Sequence, residues 1–224
     1  MKLYLGVLTF IGLICMVGCD GGSDSSDADD AGVVASPATA YPGSGIATAD
    51  YIELARISAI SRFRSGIGHD YSDSFESCRS MKHYYFPREY PVRIFSPVDG
   101  VVDYVRDGGR GMQIGIGSGD RVFVLFHVAL SISLAAGDSV AAGQELGTHI
   151  GSDTMSDIAV REDDRYLSYF EVMDDTVFAA YQARGVASRA VMIITEAARD
   201  AAPLSCSGET FASTGSIENW VELH

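Results

Sequence analysis

Leu134-Ala-Ala-Gly-Asp-Ser-Val-Ala-Ala-Gly-Gln-Glu-Leu-Gly147 carries two glycine turns, at Gly137-Asp138 and at Gly143-Gln144, around the short run Ser139-Val140. Reversals this close leave no room for a helix, so the stretch reads as a short strand between two turns. The residues before it continue the pattern. Val92-Arg-Ile-Phe-Ser96 precedes the turn Pro97-Val-Asp-Gly100, Val101 to Val105 follows it, Met112 to Ile116 alternates apolar residues with glycine, and Val122 to Val128 is a nearly continuous apolar run of strand length. Short alternating or apolar runs separated by glycine-bearing turns specify antiparallel strands. The expected fold class is therefore mainly β, a small antiparallel β-sandwich core with short C-terminal helices. The glycines of Gly108-Gly-Arg-Gly111 and Gly115-Ile-Gly-Ser-Gly119 belong to hairpins, because a phosphate loop would need a helix directly after it.

Helical signals lie at the flanks. Asp174-Asp175 is an acidic start for a helix over Thr176 to Ala183, stopped by Gly185, and a second helical stretch is expected from Ser188 to Ala202, before Pro203. Val191, Ile193 and Ile194 are expected to pack on the sandwich. A helix is also expected from Ala49 to Arg62, with strand as the alternative for Ile57 to Phe63.

The chain begins with Met1-Lys2, an apolar run from Leu3 to Met16, and Val17-Gly18-Cys19. The run is too short to span a membrane comfortably and ends in small residues at a cysteine, which reads as a lipoprotein signal peptide over residues 1–18. Export, diacylation of Cys19 and cleavage before it are expected, with an uncleaved single-pass anchor as the alternative. Residues 19–47 read as a disordered acidic tether, since aspartate, glycine, serine and proline cannot bury a core, and residues 48–224 as one folded domain. The formal charge of −14 argues against nucleic acid, and Lys82 is the sole lysine after Lys2. Cys15 leaves with the signal and Cys19 carries lipid, so Cys78 and Cys206 remain as an even pair. In an oxidising envelope a disulfide between them is expected, contributing about 4 to 5 kcal/mol by the chain-entropy account; two free buried thiols or zinc ligation are the alternatives.

Ser96-Pro-Val-Asp-Gly-Val-Val102, Leu125-Phe-His127, Ala136 to Gly147 and Tyr169-Phe-Glu-Val172 together resemble the core of the lysostaphin-type, or LytM-type, zinc endopeptidases, over about residues 66 to 175. Biotinyl and lipoyl carriers share the glycine turns but need a hairpin lysine, and none lies after Lys82. The resemblance implies a small antiparallel β-sandwich and cleavage of peptide cross-links in bacterial peptidoglycan. It also implies a site: a His-x-x-x-Asp pair gives two zinc ligands, a lone histidine ending a central strand assists catalysis, and a His-x-His gives the third ligand. His69 and Asp73, in Gly68-His-Asp-Tyr-Ser-Asp73, match the pair, and His127 matches the lone histidine. Leu167 and Tyr169 stand where the two histidines of the last motif belong. Ser74 to Tyr90 reads as an insertion between the ligand pair and the first core strand.

A neutral phenol is a poor zinc ligand because its proton leaves only near about pH 10. The expectation is thus a degenerate, non-catalytic module that lacks zinc, anchored through Cys19 to the membrane and binding peptidoglycan or a cell-wall hydrolase such as an amidase. The alternative is an active zinc endopeptidase whose third ligand is Tyr169, His83 or His149; a purely structural lipoprotein is the third class.

Overall fold

The apolar run at Val122 to Val128 forms the centre of the molecule. In the computed structural model, which describes residues 43–224, the strands in chain order are β1 (Ile57–Ser61), β2 (His83–Pro87), β3 (Arg93–Phe95), β4 (Gly100–Asp107), β5 (Met112–Ser118), β6 (Arg121–Leu130), β7 (Ser139–Val140), β8 (Glu145–His149), β9 (Ser156–Glu162), β10 (Arg165–Leu167), β11 (Cys206–Ser207), β12 (Thr210–Phe211) and β13 (Trp220–Glu222). The main sheet runs β13-β1-β2-β9-β6-β5-β4-β7, with β8 joining β6 to β3 and β10 beside β9. Every one of these pairings is antiparallel. The protein is mainly β, as the turn spacing implies.

Alternation decides which faces meet. Ile114 and Ile116 of β5, Phe123 and Leu125 of β6, and Ile158 and Val160 of β9 are buried in one cluster with Val102, Leu146, Tyr169 and Phe170. Opposite Ile114 and Ile116, the ring of Tyr104 crosses so close to Gly115 that a Cβ there would come within 2.4 Å of it.

Three short helices complete the chain: α1 (Tyr169–Val172), α2 (Asp175–Gln182) and α3 (Glu196–Ala201). Each has a side-chain cap. Ser168 Oγ accepts from Phe170 N–H while Glu171 accepts from Ser168 N–H, Asp174 accepts from Thr176 N–H, and Thr195 accepts from Ala198 N–H. A disulfide joins Cys78 to Cys206, tying the segment before β2 to the β11–β12 hairpin.

Four expectations change. Gly43 to Ala47 belongs to the folded body: Ser44 N–H donates to Glu171 O, and Ile46 and Ala47 N–H both donate to Val172 O. The expected helix over Ala49 to Arg62 reduces to one 3₁₀ turn at Leu54–Arg56, and β1 follows, because Ile57 and Ile60 are buried between β2 and β13. Ser188 to Ala202 is not one helix, since Ile193 pairs with Phe63 and splits it into a 3₁₀ turn at Arg189–Met192 and α3. Ser74 to Tyr90 is no mere insertion: it contains β2, an interior strand between β1 and β9. The signal peptide, Cys19 and most of the tether lie outside the described residues.

A buried imidazole and a half-buried carboxyl titrate in opposite directions. Burial pushes His83 down to about 4 from 6.5, against the pull of its bond to the Ser61 carbonyl. Burial pushes Asp50 up to about 7 from 3.8, although Tyr181 donates to it; one carboxyl oxygen is buried without a partner. Between about pH 7 and about pH 5 the unfolded chain takes a proton at His83 that the folded chain refuses, a loss of about 2 kcal/mol; over the same window the folded chain takes one at Asp50 that the unfolded chain does not, a gain of about 2 kcal/mol. Asp50→Asn removes the gain. Its stability to urea should therefore fall by about 2 kcal/mol more than the native protein's over that window, and equal pH dependence in the two would contradict the burial of Asp50.

Candidate functional site

His127 sits near the end of β6 with φ 60°, a left-handed conformation that costs energy for a residue bearing a Cβ. The cause is a bulge: between Met112↔Val128 and Ile114↔Leu125 the β6 strand carries one residue more than β5. Neighbours in a regular strand point to opposite faces, but here Phe126 and His127 both line the same groove, of about 260 Å³. His127 Nδ1–H donates to the Arg110 carbonyl at 2.8 Å, which fixes the ring and leaves Nε2 facing the next strand.

That next strand is β9, and the residue it presents is Asp157. Asp157 is fully buried, and its Oδ1 lies 3.3 Å from His127 Nε2. Its Oδ2 lies 2.5 Å from Nζ of Lys82, itself only 2 % exposed. The Lys82–Asp157 contact is a buried ion pair, and the His127 ring stands against the other oxygen of the same carboxylate. The ammonium sits over the rings of Phe126, Tyr71 and Tyr84, at 4.1, 4.6 and 4.9 Å from their centres. Burial pushes the Tyr71 and Tyr84 phenols up, which keeps the cage neutral. Tyr84 reaches this position only because Gly68 lacks a side chain: a Cβ there would meet its ring at 2.1 Å.

His69 is where the sequence suggests, on the loop lining this groove and about half exposed. Its Nδ1–H donates to the Asp70 carbonyl at 2.9 Å, and Nε2 faces Lys82 Nζ at 3.3 Å. Asp73 is not beside it as a ligand. Its Oδ1 accepts from the N–H groups of Phe75 and Glu76, and its Oδ2 from Tyr166 N–H, so the carboxylate closes a turn and pins β10. Tyr169 is placed elsewhere altogether, in α1, fully buried between Tyr51 and Phe123, with its hydroxyl donating to the Ala49 carbonyl. The segment Ser168 to Val172 is thus a capped helix packed in the core, and β9 presents its Asp157 to His127.

The reserve histidines differ. His83 is enclosed, its Nδ1–H donating to Ser61 O and its Nε2 bonded to Ser168 Oγ, both at 2.8 Å. His149 lies beside His127, with 6.5 Å between ring centres; its Nδ1 accepts from Gly151 N–H and its buried Nε2 has no partner. Burial lowers its pKa.

The residues here do not fit the zinc that the resemblance implies. Among the described residues no three His, Cys, Asp or Glu side chains gather at metal-ligand spacing. The groups that do converge on His127 enclose an ammonium, and a fixed positive charge repels a dication at that point. Lys82 and Asp157 were the residues that reading by motif passed over. The signals were present: a lone lysine beside a strand, and an aspartate directly before the apolar run Ile158-Ala-Val160.

No family model matches the chain, and no curated protein sequence matches it. Among solved structures it is similar to Helicobacter pylori Csd3 in its orthorhombic crystal, at 19% identity and TM-score 0.46, over 62% of this chain and 41% of that one. The hexagonal crystal of Csd3 gives 20% identity and TM-score 0.45, over 58% of this chain and 33% of that one. The structure of the SpoIIQ–SpoIIIAH pore-forming complex gives 14% identity and TM-score 0.45, over 63% of this chain and 99% of that one. The likeness is one of fold. This chain spans about a third of the Csd3 chain in the hexagonal crystal, and no activity is carried across.

Removing one partner of a buried ion pair leaves the other uncompensated, at a cost of about 3 to 5 kcal/mol. Lys82→Met and Asp157→Leu should each destabilise the protein by that order, and the double variant should recover most of the loss in urea unfolding. Strictly additive losses would show that the two groups are not coupled.

Proposed function

We propose that this chain is a lipid-anchored protein of the bacterial cell envelope, tethered through Cys19, whose lysostaphin-type domain binds peptidoglycan without cutting it. The observation that carries the reading is the Lys82 ammonium at the floor of the groove, in contact with Asp157 and His69. Hydrolysis in this fold would require a metal-activated water, which needs three protein ligands and an open position. A cation bonded into the protein supplies neither.

Binding asks less of the groove. Arg106, Arg110, His69 and His127 line it, in a chain whose formal charge is −14, so the groove differs in sign from the protein around it. Tyr71 and Phe126 add apolar ring faces. Wall peptides carry free carboxylates on a short apolar backbone, and a groove of cationic and aromatic side chains complements that chemistry.

The rival reading, an active endopeptidase with an unusual third ligand, has two of its three candidates engaged elsewhere. Tyr169 and His83 are bonded within the core, while His149 lies near His127 and Asp157 with its Nε2 unbonded and is the one candidate that this reading retains.

The test is co-sedimentation of the protein with purified peptidoglycan sacculi, with and without added zinc. The protein should pellet with the sacculi, release no soluble peptide in either condition, and lose about tenfold in retention with Arg110→Glu or at high salt. Retention on a wall amidase in place of sacculi would move the partner from wall to enzyme. Peptide release that a chelator stops would overturn the non-hydrolytic reading.

A further inference from the structure

The floor of the groove brings two imidazoles and a carboxylate around one lysine, and the arrangement assigns that lysine a role. Lys82 Nζ lies 2.5 Å from Asp157 Oδ2 and 3.3 Å from His69 Nε2, while Asp157 Oδ1 lies 3.3 Å from His127 Nε2. Because His69 donates from Nδ1 to the Asp70 carbonyl, the nitrogen it turns to Lys82 carries the free lone pair, the same atom a metal would use. Nδ1 of His127 is likewise held by a backbone carbonyl, which points Nε2 at the carboxylate. Both rings are therefore oriented as metal-ligating histidines are, with a backbone carbonyl on the other nitrogen. The centre they face holds an ammonium caged by three aromatic rings.

We infer that the Lys82 ammonium is a built-in cation occupying the place of a divalent metal, and that it alone keeps His69, His127 and Asp157 from acting as a two-imidazole, one-carboxylate metal site. The inference rests on the groove being non-hydrolytic and extends it: the metal's place is taken by one lysine side chain, which blocks it by filling the space as well as by its charge. His69 lies on a half-exposed loop, so removal of the lysine side chain gives its ring room to close on Asp157.

Cobalt(II) and zinc, added separately to the native protein, Lys82→Ala and Lys82→Met, test this through the cobalt absorption spectrum and the melting temperature. Lys82→Ala vacates the ammonium's position and leaves Asp157 without a counter-charge. It should develop a tetrahedral cobalt spectrum, and its melting temperature should rise on the order of 5 °C at a hundredfold excess of zinc over Kd. Lys82→Met, which refills the space without charge, and the native protein should show neither change. Adding Asp157→Asn or His69→Gln to Lys82→Ala should weaken metal uptake about tenfold or more. The proposal is overturned if Lys82→Ala takes up no metal, if its uptake survives both second substitutions, or if the native protein binds as tightly. If Lys82→Ala folds neither with nor without zinc, the native protein decides: ring resonances of His69 and His127 that stay unmoved in millimolar zinc support the proposal, and ring shifts overturn it. Metal uptake is measured independently of sacculus binding, so failure of one leaves the other standing.

Discussion

A lysine ammonium and an aspartate carboxylate in contact inside a β-sheet impose conditions on their whole neighbourhood. Each charge loses its water, and their attraction offsets that loss only where no third group is left unmatched and the surroundings tolerate a cation. Lys82 meets the second condition with the faces of Tyr71, Tyr84 and Phe126. Those three rings come from three separate stretches, and each needs a local device to arrive. Tyr84 needs the bare backbone of Gly68, Phe126 needs the bulge in β6 that turns it to the same side as His127, and Tyr71 needs the loop before β2 to be held in place.

That loop is held by the most heavily cross-linked part of the protein. Arg64 grips the Glu76 carboxylate through two nitrogens, Arg79 reaches Glu76 and Asp200, and the Cys78–Cys206 disulfide lies between them. Arg64, Glu76 and Arg79 are largely buried, so this network resists salt screening better than a surface pair would. Its effect is to deliver Lys82 and His69 to the groove from a segment with little regular structure of its own. Asp73 belongs to the same scaffolding, its carboxylate closing a turn and holding β10.

What the sequence made legible was the part governed by local rules. The strands from Val92 to Gly147 were readable because glycine turns and apolar alternation act over a few residues, and the cysteine pairing followed from the even pair left once Cys15 and Cys19 were assigned to the expected signal segment. His127 was readable as the polar residue near the end of an apolar strand. The third ligand position was not, because Tyr169-Phe-Glu-Val172 imitates a strand motif while Ser168 and Glu171 cap it as a helix. The strand that presents a carboxylate to His127, β9, has no motif, and its Asp157 acquires meaning only from pairing with β6 and β2. Lys82 was hidden for the same reason: its partner, Asp157, is 75 residues away in the chain.

Whether this ammonium occupies the groove in place of a metal decides what the groove can do. The most direct measurement is the zinc content, by elemental analysis against protein concentration, of the native protein produced in zinc-supplied culture and exchanged into metal-free buffer. Far less than one zinc per chain is expected, with the protein fully folded. Zinc retained at one per chain and lost on His69→Gln would contradict that expectation.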